Sequence, residues 1–262
     1  LKDVGAEKRL EASRFRARLW GSYGALLQRE GKAHEYVEIL IEKVIPLAKS
    51  IGDSSLLGNN YQNVAMNLMN LGDYKNADDY YSKALQLLKG KKEALEGRFT
   101  LFINAARNAL LHKNYRKSGE FIDSAGVLAV QVPNSSYIPI FHAVSGSHWA
   151  AVKNHEKADA HFENGLSAAK TQSNEDMVAT LLFDQFTAYH MNNRYAAARE
   201  KLLEVLPYVQ QQFSLRNKQM VYYNLANIAT RLNQYQEAVK WYEAHKSVSD
   251  TIFSDQSQAH IQ

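Results

Sequence analysis

The sequence contains no cysteine, only four prolines and no run of eighteen apolar residues. Without cysteine there is no disulfide framework and no thiolate metal site, which fits an oxidising compartment without requiring one. Without a long apolar run no helix of this chain spans a bilayer, and the basic N-terminus lacks the apolar core of a signal peptide. No Gly/Ser-rich linker or low-complexity stretch interrupts the chain, so a single domain over residues 1–262 is expected. Charge of one sign is not concentrated either. The 31 basic and 27 acidic residues are interspersed to a net +4, with no block resembling a nucleic-acid-binding arm, so no nucleic-acid partner is expected. A chain that starts at Leu1 reads as a segment of a longer protein, and any membrane attachment is expected through flanking segments.

Catalytic signatures are absent as well. There is no GxSxG, no GxxxxGK[ST] and no GxGxxG. Gly52-Asp53-Ser54 shares letters with a nucleophile turn, but no strand precedes it and it reads as a helix cap. None of the nine histidines stands three or four residues from another, so no helical face offers an HExxH-like metal pair. His142 and His148, like His155 and His161, are six apart, and packing or surface roles are expected for them. Asp78 and Asp79 fall on the exposed side of a helix. No catalytic residue, metal ligand or cofactor is therefore expected, and the segment reads as non-enzymatic.

What the chain does contain is a period. Small residues three places after an aromatic or histidine recur at Ala77, Ser118, Ala158, Ala198 and Ala238, with steps of 41, 40, 40 and 40. Twelve residues upstream of each stand Ala65, Ala106, Gly146, Phe186 and Ala226; four residues downstream stand the bulky Tyr81, Ile122, Phe162, Leu202 and Tyr242. A weaker first copy holds Trp20, Tyr23, Gly24, Leu27 and Gly31, with Tyr36 or Val37 where a small residue belongs. Two helices that cross closely need small side chains at the crossing and bulky ones beside it, so each copy is one helical hairpin. A hairpin of this size cannot bury its apolar face alone, so copies stack on their neighbours. The turns inside hairpins read Gly72-Asp73, Lys113-Asn114, Lys153-Asn154, Asn192-Asn193 and Asn233-Gln234, where Gly and Asn suit the left-handed residue that closes a helix.

The spacing in Trp20-x-x-Tyr23-Gly24-x-x-Leu27, the run Leu71 to Ala77 with Tyr81 and Ala84, and Tyr222 to Asn227 with Tyr235 and Ala238 resemble the tetratricopeptide repeat. The resemblance covers roughly residues 17 to 250. It implies an all-α, tetratricopeptide-like α-solenoid of about six helix-turn-helix hairpins in a right-handed superhelix. The hairpins are expected near 17–56, 58–97, 99–138, 139–178, 179–218 and 219–252, with a connecting helix starting in 253–262. Phe186 departs from the small-residue rule, as do Val205 and His245 at a later small position, and the period exceeds the usual 34 by about six. The added residues are expected between hairpins, as longer helices or longer connections.

In such arrays the first helix of each hairpin lines a concave groove, and extended peptides are commonly bound through its sixth and ninth residues. With Ala77 counted as residue twenty, the sixth positions are Asn63, Asn104, Val144, Asp184 and Asn224, and the ninth are Met66, Arg107, Ser147, Thr187 and Asn227. A carboxamide both donates and accepts, so it can match a peptide backbone without reading its side chains. The candidate ligand-binding residues are therefore Asn63, Met66, Asn104, Arg107, Asp184, Tyr223, Asn224 and Asn227, with Tyr223 supplying an aromatic contact and Arg107 a carboxylate partner. Trp20, Tyr61, Phe102 and Tyr222, on the fourth position, are expected to pack inside the hairpins.

The segment Tyr242 to Asp255 resembles the closing segment of the repeat region in bacterial membrane-bound sensor histidine kinases. That resemblance implies an extracytoplasmic sensory domain of a two-component signal-transduction protein that binds a protein or peptide, with the alternative of a cytoplasmic location. A static protein-protein scaffold, compatible with a homodimer, and an intracellular signalling-peptide receptor are the other readings.

Overall fold

The computed structural model describes residues 4–90, 94–211 and 215–259, and all regular structure among them is helical. α1 (Val4–Arg29) turns back into α2 (Ala33–Ile39), which continues through a π-turn (Leu40–Val44) into α3 (Ile45–Ile51). Five more hairpins follow: α4 (Ser54–Asn70) with α5 (Tyr74–Leu88), α6 (Leu95–Leu111) with α7 (Tyr115–Ala129), α8 (Ile138–Ala151) with α9 (His155–Thr171), α10 (Glu175–Met191) with α11 (Tyr195–Gln211), and α12 (Leu215–Arg231) with α13 (Tyr235–Ala259). This is the all-α, hairpin-repeat fold expected. Contacts gather the hairpins into two units of three, Leu1–Ser135 and Ser136–Gln262.

Each hairpin closes through one left-handed residue. Gly31, Gly72, Lys113, Lys153, Asn193 and Asn233 have φ of 80°, 81°, 59°, 63°, 58° and 60°. The two lysines are a departure from the Gly-or-Asn expectation. In those turns the carboxamide sits one residue later and serves as an N-cap, Asn114 accepting from the Lys117 N–H and Asn154 from the Lys157 N–H. Asp73 does the same for Asn76 in the Gly72 turn.

The crossings follow the small-residue rule. Ala65, Ala77, Ala106, Ser118, Gly146, Ala158 and Ala226 are buried. A Cβ on Gly146 would lie 2.9 Å from the ring of Phe162, so glycine is what lets that ring enter. The bulky Tyr36 of the first copy is accommodated the same way, because a Cβ on Gly24 would overlap its ring. Phe186, the misfit of the fifth copy, is buried against Phe183 and His190, with ring centroids 5.1 and 5.8 Å away. Three of the four fourth-position aromatics pack within their hairpins as expected, each on a residue nineteen further along: Tyr61 on Tyr80 at 5.8 Å, Phe102 on Phe121 at 6.2 Å and Tyr222 on Trp241 at 5.8 Å; His142 meets His161 at 5.2 Å by the same spacing, whereas Trp20 is exposed and its ring meets Tyr23 of its own helix at 6.2 Å.

The added residues go to different places in the two units. In the second, α9, α10, α11 and α12 are each 17 residues long and the links 172–174, 192–194 and 232–234 are three residues each, so longer helices make up the period of forty; residues 212–214 lie outside the described residues. In the first, α4 has 17 residues and α5 only 15, and α6 begins after the longer link 89–94. α13 runs unbroken from Tyr235 to Ala259, so the closing segment and the start of the expected connecting helix are one helix. Residues 91–93 of the second connection and 260–262 of the connecting helix lie outside the described residues.

Candidate functional site

The candidate residues lie on first helices, and the structure gathers them into a cluster in each unit. In the first unit Asn63 and Met66 stand one turn apart on α4, and Asn104 and Arg107 one turn apart on α6; all four are half-buried. Asn104 Nδ2 donates to Met66 Sδ at 3.7 Å, joining the two helices. A thioether is a weak acceptor, so this donor is readily released to a better one. The carbonyl of Asn63 accepts from the buried Asn67 side chain, which fixes the neighbouring turn. Arg107 has no carboxylate partner among the described residues. Its charge acts on the Tyr81 phenol, whose pKa burial pushes well up, with Arg107 offsetting part of the rise.

In the second unit the cluster is on α12. Asn224 Nδ2 donates to the Met220 carbonyl at 2.9 Å and Asn227 Nδ2 to the Tyr223 carbonyl at 3.0 Å, so both carboxamides fold back on their own helix. Tyr223 is 49% exposed and meets two α13 rings, Tyr242 at 6.5 Å edge-on and His245 at 5.4 Å. The Tyr242 hydroxyl donates to Asn227 Oδ1 at 3.1 Å, while His245 is held against the Gln219 carbonyl at 3.2 Å. Sequence reasoning missed Tyr242 and His245 as members of this cluster because it looked at first helices only. The signal was present: His245 is one of the departures from the small-residue rule. Asp184 lies apart from this cluster, on the wall of an apolar cavity of about 160 Å³ with Phe183, Val205, Met220 and Val221.

The rest of the polar chemistry joins consecutive hairpins. Asp78 accepts from Asn108 Nδ2 at 3.0 Å and from Lys117 Nζ at 3.1 Å, and the same Asn108 group donates to the Tyr74 carbonyl at 2.9 Å. In the second unit Arg194 forks onto Asp159 at 3.2–3.3 Å and Arg199 holds Glu237 at 2.6 and 2.9 Å. The hydrogen bond from Arg199 keeps the Glu237 carboxyl below the usual range. Arg194 also lies over the Tyr189 ring at 4.2 Å, and burial pushes the Tyr189 phenol up to about 12.

One histidine contact was not anticipated. His142 and His161 are too far apart in sequence to share a helix turn, yet the α8–α9 crossing brings their Nδ1 atoms to 3.0 Å. Burial, and secondarily His161, holds His142 down at about 4; burial and Lys157 lower His161. Two neutral rings sharing one proton satisfy this geometry. Among the described residues no group of three or more His, Asp or Glu side chains is placed to hold a metal ion.

Residues 59–87 and 221–251 match models of the tetratricopeptide repeat. No curated protein sequence matches the chain. Among solved structures, BtubC from P. vanneervenii is similar with a TM-score of 0.67 at 16% identity over 86% of this chain and 92% of that one. A Rap protein complexed with competence and sporulation factor is similar with a TM-score of 0.65 at 14% identity over 92% of this chain and 77% of that one. A STAND protein with a tetratricopeptide repeat sensor from Pyrococcus horikoshii has a TM-score of 0.67 at 14% identity, and this chain spans 97% of itself but 40% of that protein. The chain is therefore an array of tetratricopeptide-like helical hairpins, with the repeat recognisable by sequence in its second and sixth copies.

Proposed function

We propose that this chain binds an extended segment of a protein or peptide on its first-helix faces and serves as the sensory or regulatory part of a signal-transduction protein. The observation that carries the reading is Arg107. Arg107 is half-buried on the first-helix face with no carboxylate partner among the described residues, so its guanidinium can take one from a ligand, and it stands one turn from Asn104, whose present acceptor is a thioether. An extended segment with an acidic side chain or a free C-terminal carboxylate meets both groups, the carboxylate on Arg107 and the backbone on Asn63 and Asn104. The α12 face of the second unit, with exposed Tyr223 beside Tyr242, is a surface of its own suited to an aromatic or apolar side chain.

The finer reading, an extracytoplasmic sensor of a membrane histidine kinase, rests on the resemblance of residues 242–255 alone, and kinase motifs encoded downstream of Gln262 would test it. For binding itself, a fluorescent extended peptide ending in a free carboxylate is titrated against the chain, with its C-terminal amide as control. Arg107→Gln is expected to weaken the free-acid peptide at least tenfold and the amide little. Asn63→Ala/Asn104→Ala/Asn224→Ala is expected to abolish capture of both with melting nearly unchanged; retained capture by that variant sinks the assignment.

A further inference from the structure

The first hairpin exposes a face that other hairpins bury. Gly24 and Gly31 align with Ala65 and Gly72, which puts Leu19, Tyr23 and Leu26 of α1 at repeat positions three, seven and ten. On α6 these positions are Leu101, Ala105 and Asn108, and on α12 they are Val221, Leu225 and Ile228. All six are at most 1% exposed. The corresponding residues of α4 and α10 are buried too. What covers them is the second helix of the preceding hairpin in the same unit: Leu101 and Ala105 share a core cluster with Ala84 and Leu88 of α5. On α1, by contrast, Leu19, Tyr23 and Leu26 are 54%, 49% and 54% exposed, with Phe15 at 61% in line with them. An uncovered face of a repeat array is ordinarily polar, and this one presents four large apolar side chains.

α13 has the matching surplus. Repeat positions seventeen and twenty-one face the next hairpin elsewhere, Tyr74 giving its carbonyl and Asp78 its carboxylate to Asn108, and Arg199 its guanidinium to Glu237. On α13 those positions are Tyr235 and Val239, which are 62% and 55% exposed. The formal charges are complementary. α1 carries six basic and two acidic residues, net +4, whereas α13 carries two basic and four acidic, net −2. Two α1 faces would repel each other.

We propose that α1 of one copy is covered by α13 of a second copy, so that chains associate head to tail through the same kind of helix contact that joins hairpins within a unit. The contact is heterologous, each copy using a different face, so association does not stop at the dimer. One helix pair is a small interface, and a dissociation constant in the micromolar range is expected.

Light scattering and sedimentation velocity across a concentration series reaching hundreds of micromolar test it. The unmodified chain is expected to rise from monomer through dimer to larger species. Leu19→Glu/Leu26→Glu and Tyr235→Glu/Val239→Glu are each expected to remain monomeric, and a mixture of the two to form a one-to-one dimer that grows no further, because each supplies the intact face the other lacks. Helicity by circular dichroism checks both variants, and Leu19→Gln/Leu26→Gln replaces the first if the charges disturb folding. A chain that stays monomeric overturns the proposal and assigns the α1 face to another occupant, such as a preceding hairpin or a membrane surface. Self-association that persists in the α13 variant overturns it in favour of a symmetric contact, and a mixture that does not pair overturns it outright.

Discussion

The two units join their hairpins by different means. In the first, the α4–α5 and α6–α7 hairpins meet at a buried polar hub in which Asn108, fully enclosed, ties the Tyr74 carbonyl to Asp78, and Lys117 completes the carboxylate's partners. At the joints of the second, the register positions equivalent to Asn108 are Ala188 and Ile228, both buried and apolar, and polar contact is left to the Arg194–Asp159 and Arg199–Glu237 pairs, about as exposed as the Lys117–Asp78 pair of the first unit. A central hub makes a joint depend on one residue, because removing it strands buried acceptors. Peripheral ion pairs over an apolar seam share the load and are screened by water. The 17-residue helices α9 to α12 carry the joints of the second unit, while α5 and α7 of the first have 15 residues.

The comparison breaks most sharply at Asn108. Asn108→Ile copies the second unit's solution into the first, but leaves the Tyr74 carbonyl and one Asp78 oxygen without their donor, and is expected to cost about 2 kcal/mol in chemical denaturation. If the loss is negligible, the hub is not what holds that joint. Next in size is acid. His142 and His161 are held below the ordinary 6.5 in the folded chain, His142 at about 4, so the unfolded chain takes up protons first as pH falls. The two histidines should therefore make the second unit lose about 1–3 kcal/mol between about pH 6.5 and 4, their share ending there while that of carboxylates such as Glu237 begins. Hydrogen exchange resolved by residue should show the decline in 136–262 before 4–135. His142→Phe/His161→Phe, which copies the Phe102–Phe121 pair, should flatten it.

Smaller effects sharpen the contrast. Glu237→Gln keeps the shape but removes the charge facing Arg199, and should lower stability by about 0.5–1 kcal/mol, less in high salt. The Asn108 variant should show little salt dependence. Smallest is Lys153→Gly, which relieves a left-handed lysine and should raise the melting free energy by about 0.5 kcal/mol. The same change is expected at Lys113, so unequal gains would show that the turns, and not only the joints, differ between units.

Much of the fold was legible because its rules act locally. Gly146, Ala65 and Ala77 are small for reasons of hairpin crossing alone, and Tyr61, Phe102 and Tyr222 announce their partners nineteen residues on. The contact between His142 and His161 obeys that same spacing, but a search for metal pairs on one helix turn passes over it. The candidate site was less legible. Position in the repeat identifies Asn104 and Asn224 as equivalents, yet one reaches across to Met66 and the other folds back onto Met220. That difference depends on which neighbour lies within reach, and Tyr242 and His245 enter for the same reason, from a helix the repeat pattern assigns to packing.

The π-turn of the first hairpin records a change of length. Among the residues buried there, Tyr36, Leu40, Val44 and Ala48 stand four apart, with Val37 and Ile45 buried beside them, and the widened turn Leu40–Val44 helps hold that spacing on one face. In α11 the buried Ala198, Leu202, Val205 and Val209 are spaced four, three and four, with Pro207 carried inside a continuous helix. Removing one residue from 41–43 would convert the first spacing into the second and bring Pro46 to the register of Pro207. The second helix of the first hairpin thus resembles α11 with one residue more, accommodated by the widened turn Leu40–Val44. Deleting Glu42, ordinarily ruinous in mid-helix, should leave this protein folded.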